Sequence, residues 1–425
     1  MRGGLLCLVL VVGLVLVPGV ARAEPGVLLD LITDPASGHG LALIGDQGGP
    51  GDASAVRAQP LSAQGALVGS PSGVVDDVHS GFVDHMVVAA YDPSRRHYLV
   101  AWAGHTPDMA SGPCPQPGGL GAGPPVPPGG FTCQREDAEI FVRLVDVDGV
   151  PVGAARRLSS TGPASSADDF ATSPSVVRVA GGFVVAWAGA VTGDGTHAAL
   201  FDERLSPAGS PAGPPRRLRL RPQATGVRPV LRLVSGPGAR GALLVFTWAQ
   251  RPNAWRLFAA RLDDAGRAGR AREVRTGDRA VDLDDVVAAN GQPGALAIWS
   301  PAVAGSHADF RARLLTPAGR PAGPVHVLPF REGTGPIAAA SDLDGHGWLI
   351  AGGVRSTAGA QAQANVLHTT SDGRPRGGLH RVSSGSVPVE NPFAAPLARG
   401  HVIGWSLPAW GMPPAPPALR LITIR

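Results

Sequence analysis

Few residues of this chain carry a spacing that suits chemistry. The segment SDLDGHGW, Ser341 to Trp348, sets Asp342 and Asp344 two apart, as the first oxygen ligands of a calcium loop are set. The glutamate that closes such a loop is absent, and Asp-Gly is ordinary hairpin chemistry, so no metal is expected there. The run DLDD, Asp282 to Asp285, places carboxylates close enough for acid/base work, but an isolated acidic run at a loop-to-strand junction reads first as solvent-facing. Twelve histidines and many serines leave a Ser-His-Asp constellation open, because that arrangement is defined in space, and nothing in the spacing singles one out. The chain contains no G-x-S-x-G elbow, no Walker A loop, no H-E-x-x-H and no dinucleotide fingerprint after a strand, so no cofactor is expected.

What would position any of these residues is a repeat. GGFVVAWAG, Gly181 to Gly189, has counterparts in HYLVAWAG ending near Trp102, GALLVFTW ending at Trp248, GALAIW ending at Trp299, GWLIAGG around Gly352, GHVIGW ending at Trp405 and, more weakly, GLALIG around Ile44. These seven marks recur at roughly 50 to 60 residues, with one longer interval where a Pro/Gly-rich insert sits between Trp102 and Trp187. A second mark follows each of the first six by about twenty residues, a turn of the form L-x-x-x-G-x-P-x-G with its glycine at Gly65, Gly149, Gly209, Gly266, Gly319 and Gly373. Glycine at a fixed place followed by a chain that leaves extended is hairpin chemistry.

Each unit divides into four short strands, shown by SPSVVRVA, FVVAWAG, HAALFDERL and PPRRLRL in the third. The second strand is apolar on both sides, Phe183, Val185 and Trp187 alternating with Val184 and Ala186, so it needs a sheet packed above and below. Stacked four-stranded blades supply that, and the tryptophan is expected to pack between them. The fold class is therefore all-β, a seven-bladed β-propeller with mostly four-stranded antiparallel blades. These repeats resemble those of secreted bacterial β-propeller proteins, whose units read apolar-apolar-x-Trp, then an Arg-containing strand, then D-x-x-G-x-P-x-G. The resemblance spans residues 24–425 and implies architecture without an activity, since propellers host enzymes, binding modules and scaffolds alike. The seventh unit ends at ALRLITIR with no turn and no fourth strand, so either that blade has three strands or Glu24 to Val27 closes it.

The usual propeller order places the loops between second and third strands on one face, and the irregular sequence collects in them. The Cys114 to Cys133 insert, Trp255 in RPNAW and Trp410 in LPAWGMPPAPP all fall there, and counting back from the turn glycines adds Asp137, His197, Ala254, His307 and Gln361. Each alone reads as a solvated loop residue; together Asp137, His197, Trp255, His307 and Trp410 form a candidate ligand-binding ring.

The first 23 residues read as a signal peptide: Arg2, an apolar stretch from Leu5 to Val17, Pro18, then Ala21-Arg22-Ala23 as a small-x-small cleavage site, the alternative being an uncleaved anchor. The remainder, 24–425, reads as a single propeller domain with the insert at about 105–135, secreted or periplasmic, with no membrane span after signal cleavage. Outside the cytoplasm, Cys114 and Cys133 are expected to form a disulfide closing the Pro/Gly loop.

The chain has 425 residues, 44% hydrophobic and 16% charged, enough to bury a large core. All 37 basic residues are arginine and the formal net charge is only +4. The densest basic run, Arg216, Arg217, Arg219 and Arg221, lies in one strand-like segment without stacking aromatics, so no nucleic acid is expected as a partner. The leading expectation is an exported noncatalytic binding or scaffold propeller, a monomer, facing an extracellular or envelope protein or glycan. The alternatives are a propeller-type hydrolase or lyase acting on extracellular glycan or similar substrate, and a component of envelope assembly.

Overall fold

The computed structural model describes residues 24–25, 27–34, 36, 38, 40–45, 54–78, 87–105, 138–160, 171–190, 198–218, 229–236, 240–249, 255–277, 281–288, 294–301, 309–330, 337–354, 363–383, 390–407 and 418–424. They form seven four-stranded antiparallel sheets and no helix among the described residues.

The first strand, β1 (Glu24–Pro25), belongs to the last blade. Blade 1 is β2 (Val27–Thr33), β3 (Gly40–Gly45), β4 (Ser54–Leu61) and β5 (Ser72–Val78). Blade 2 is β6 (Val87–Asp92), β7 (His97–His105), β8 (Ala138–Asp146) and β9 (Pro151–Arg157). Blade 3 is β10 (Ala171–Val179), β11 (Gly182–Ala190), β12 (Ala198–Leu205) and β13 (Arg216–Arg217). Blade 4 is β14 (Leu231–Ser235), β15 (Ala242–Ala249), β16 (Trp255–Leu262) and β17 (Arg272–Glu273). Blade 5 is β18 (Val281–Ala288), β19 (Ala295–Pro301), β20 (Arg311–Leu315) and β21 (Pro321–Val327). Blade 6 is β22 (Ala338–Ser341), β23 (Gly347–Val354), β24 (Gln363–Thr370) and β25 (Pro375–Arg381). Blade 7 is β26 (Glu390–Leu397), β27 (Gly400–Leu407) and β28 (Ala418–Ile424), completed by β1. The innermost strands touch in the order β2, β6, β10, β14, β18, β22, β26 and back to β2, which closes the ring. This is a seven-bladed β-propeller.

Burial of the second strands explains their composition. Phe183, Val184, Val185, Ala186 and Trp187 are all buried, because β11 has blade 2 on one side and blade 4 on the other. Trp187 packs with Leu99, Ala101 and Ile140 of blade 2, Trp102 with the core of blade 1, and Trp299 with that of blade 4, so these side chains fill the gap toward the preceding blade. In blade 4 the register departs from the sequence landmark. Trp102 stacks on its cross-strand partner Phe141 and Trp187 on Phe201, and the same pairing in blade 4 joins Phe246 to Phe258, so Phe246 and not Trp248 holds the repeat position. In blade 6 the position falls to Gly352, and a Cβ there would lie 3.0 Å from the ring of Phe330. Phe330, brought in from the chain after β21, takes the volume that tryptophan fills elsewhere.

The repeated turn does two things. Its first glycine has positive φ, between 70° and 87° in all six copies, and closes a turn whose Ser, Thr or Asp three residues earlier also accepts backbone N–H groups, as Asp146 Oδ1 does from Asp148 and Val150. The same glycine presses on the preceding blade: a Cβ on Gly149 would stand 3.1 Å from the Ala58 carbonyl, and one on Gly319 3.1 Å from Ala259 Cβ. The arginine of the third strand uses the turn as well. Arg143 donates to the Gly153 carbonyl and to Val74 of blade 1, and Arg313 donates to Gly323 and to Val274 of blade 4.

Blade 7, which lacks the turn, is closed by the first described residues: Glu24 pairs with Leu419 and Pro25 with Ala418. The N-terminal segment, one of the two routes left open by the sequence, therefore supplies the fourth strand. Leu28, Leu31, Ile44, Leu397 and Val402 bury the seam between blades 7 and 1, and Ser406 Oγ accepts the Leu28 N–H.

Candidate functional site

A cavity of about 540 Å³ lies on the propeller axis, walled by the innermost strands of all seven blades. Its lining can be ordered by register. The residue before the repeat landmark on each second strand (Leu43, Ala101, Ala186, Val245, Ile298, Ala351, Gly404) pairs with Asp30, Val88, Ser175, Arg232, Asp285, Ala338 and Phe393 respectively. One level of the channel is thus a ring of Asp, Val, Ser, Arg, Asp, Ala and Phe. All seven residues line the cavity. The level lies toward the N-terminal ends of the inner strands, the side on which second strands lead into third strands.

Local backbone geometry sets three of these side chains. The register of the inner strand shifts just before Asp30, Ser175 and Asp285, a bulge that turns the side chain sideways toward the next blade. Asp30 Oδ2 accepts the Ala89 N–H of blade 2 at 2.8 Å, Asp285 Oδ2 the Ala339 N–H of blade 6 at 2.8 Å, and Ser175 Oγ the Leu233 N–H of blade 4 at 2.8 Å. The other oxygens, Asp30 Oδ1 and Asp285 Oδ1, accept the N–H of the following residue. Blades 1, 3 and 5 are stapled to blades 2, 4 and 6 in this way.

Burial raises both carboxyls: that of Asp30 is pushed up to about 6, and that of Asp285 upward. The accepted N–H groups and the charge of Arg232 oppose the shift without cancelling it, and at Asp30 the charge of Asp285 adds to it. Arg232 donates to the Leu231 carbonyl. At the far end of the channel Arg178 and Asp92 form an ion pair at 3.0 Å. Burial works against the Asp92 charge, but hydrogen bonds from Ser94 and Arg178 outweigh it and hold the carboxyl below its ordinary value.

Of the residues singled out by sequence, the structure places Trp255. It opens β16, is half-buried, and pairs with Ala249 on the face where second strands lead into third strands. Asp137, His197, His307, Trp410, Cys114 and Cys133, with Ala254 and Gln361, lie outside the described residues. SDLDGHGW forms the hairpin between β22 and β23, as its turn chemistry predicts; Asp344 Oδ1 accepts the His346 N–H, and Asp342 sits 3.4 Å from His401 of blade 7. Burial lowers the His401 pKa against the opposing pull of Asp342. Among the described residues no group of three or more His, Cys, Asp and Glu side chains is placed to hold a metal.

DLDD, expected to face solvent, instead delivers Asp285 into the channel wall. Sequence reasoning missed the ring of Asp30, Arg232 and Asp285. The local signals were a lone Asp in the largely apolar inner strand VLLDLIT and three Asp among the apolar residues of VDLDDVVA.

No family model and no curated protein matches the chain. Among solved structures, the polysaccharide lyase Uly1 is similar in fold at 10% sequence identity with a TM-score of 0.50, over 95% of this chain and 98% of that one. A prolyl endopeptidase, one of two studied for inter-domain dynamics in catalysis and specificity, superposes with a TM-score of 0.47 at 11% identity. It covers 90% of this chain, which spans about half the length of that one, 47%. At these identities the likeness speaks to the fold alone.

Proposed function

We propose that the protein is an exported binding or scaffold propeller. It presents one face, centred on the mouth of the axial channel, to a ligand or protein partner outside the cytoplasm. The observation that carries this reading is the ring of Asp30, Arg232 and Asp285 set into an otherwise largely apolar cavity. A few fixed polar groups in an apolar concavity are the usual make-up of a specific binding site. What supports binding over turnover is the way the carboxylates are held. Each oxygen of Asp30 and Asp285 already accepts a backbone N–H, which fixes the groups rigidly and ties each to the ring's own integrity. The export step rests on the apolar N-terminal stretch and the Ala21-Arg22-Ala23 site.

The test is to probe arrays of extracellular glycans, peptides and envelope proteins with the wild-type protein and with Arg232→Ala and Trp255→Ala. Selective binding that weakens about tenfold or more in Arg232→Ala, with the melting temperature held within a few degrees, supports the reading. Depolymerisation of an array glycan by the wild-type protein would overturn it in favour of a hydrolase or lyase.

A further inference from the structure

The ring level in the channel is asymmetric, and the asymmetry defines a ligand. Blades 4 and 5 are neighbours, so Arg232 and Asp285 stand on adjacent inner strands, and the Arg232 charge opposes the upward shift of both Asp285 and Asp30. Asp30 stands across the channel on blade 1. Its own neighbours at that level are Phe393 of blade 7 and Val88 of blade 2. Phe393 lines the cavity and packs against the seam that includes Leu28 and Leu31, while Val88 rests on the cluster around Ala90 and Ala101. Asp30, Phe393 and Val88 thus line one level of the cavity from three adjacent blades, across from Arg232 and Asp285.

We infer that this half of the ring binds a small organic ammonium ion, its charged head on Asp30 and its apolar body against Phe393 and Val88. The inference rests on the reading of the channel mouth as a binding site and adds the chemical class of what enters. Each Asp30 oxygen accepts one N–H and keeps a second lone pair for a ligand donor. Phe393 lines the same cavity, and an aromatic ring attracts a cation placed over its face. A simple anion would meet two carboxylates for one guanidinium, and a neutral apolar molecule would bring the Asp30 charge nothing beyond the two N–H groups and the Arg232 field it already has. Burial raises the Asp30 carboxyl even though two accepted N–H groups and the Arg232 charge oppose the shift, so a further cationic donor would stabilise its charged form. The charged groups facing it from other strands are Arg232 on β14 and Asp285 on β18.

The experiment is calorimetric titration of the full protein with n-butylammonium and, separately, with butan-1-ol, its uncharged analogue. The ammonium should bind the wild-type protein about tenfold or more tightly than the alcohol, and Asp30→Asn should remove the difference. Phe393→Ala should weaken the ammonium while leaving some preference for it. Because Asp30→Asn alters a staple between blades, the wild-type protein supplies a second reading. Affinity for the ammonium should fall by about tenfold per pH unit below about 6, as Asp30 takes up a proton, while that for the alcohol stays level. Equal binding of the two probes, no binding of either, or a preference that survives both Asp30→Asn and acidification would overturn the inference. The array result with Arg232→Ala decides the broader reading independently, so the two can fail separately.

Discussion

Buried carboxyls decide how this protein answers to pH. Glu203 on β12 is buried with no hydrogen-bond partner for Oε2 among the described residues, and burial pushes its carboxyl up to about 7 against the pull of Arg156. Asp202, next to it on the opposite face of the strand, is pushed up to about 6 by burial although Arg216 binds it at 2.7 Å. With Asp30 and Asp285, these groups hold protons more tightly folded than unfolded. The stability they contribute is complete below their ordinary values and is lost as pH rises through about 6 to 7. Asp92, Asp263 and Asp372 are shifted downward, so their contribution is present above the ordinary carboxylate value and fails only in stronger acid. Burial also holds His368 and His401 below the ordinary imidazole value, which works the other way as pH falls, so the test is a difference: going from about pH 8 to about pH 5 should favour the wild type's urea midpoint more than that of Glu203→Gln. An equal pH response in the wild type and Glu203→Gln contradicts the assignment. None of this was legible in the sequence. Asp202 and Glu203 sit in HAALFDERL like any polar pair on an outer strand, and only the packing of one blade on the next shows both to be buried.

At the scale of the element, the turn glycines separate two costs that sequence merges. Gly149 and Gly153 both have φ near 80°, but a Cβ on Gly149 meets the Ala58 carbonyl of the preceding blade while one on Gly153 meets nothing within 4 Å. Gly153→Ala should cost about 1 kcal/mol for the backbone conformation alone. Gly149→Ala should cost roughly 2 to 4 kcal/mol, because the turn must also back away from its neighbour. Equal losses in chemical denaturation would show that the turn does not bear on the adjacent blade. The turn motif itself was plain in the sequence, since its glycine is demanded by local geometry and its spacing repeats. The second-strand landmark held its register in six units, though Ile44 in blade 1 and Gly352 in blade 6 marked it weakly, and it misled in blade 4. In GALLVFTW both Phe246 and Trp248 are buried in the same cluster, and only the cross-strand partner Phe258 identifies which one holds the register. In blade 6 the volume is filled by Phe330, from outside the landmark strand, which no local pattern could announce.

For the whole molecule, the question is what keeps the ring closed and what the closed ring is for. Closure by β1 rests on two residue pairs, whereas the seam beneath it buries Leu28, Leu31, Leu397 and Val402. Removing residues 24–25 should lower stability by only about 1 to 2 kcal/mol, while Leu28→Ala should cost roughly 2 to 5 kcal/mol. The reverse order would make the short strand the principal latch. The number of blades and their order followed from two repeat marks with one period. The axial ring did not, because its members come from seven separate inner strands and are related only through cross-strand register. That ring is the centre of the proposed function, and the most direct test is a high-resolution crystal structure of the protein purified from its own host without chelator. The predicted result is ligand density in the channel at the level of Asp30, Arg232 and Phe393. A channel holding only water, with ligand density instead against the opposite face near Asp342 and His401, would contradict it.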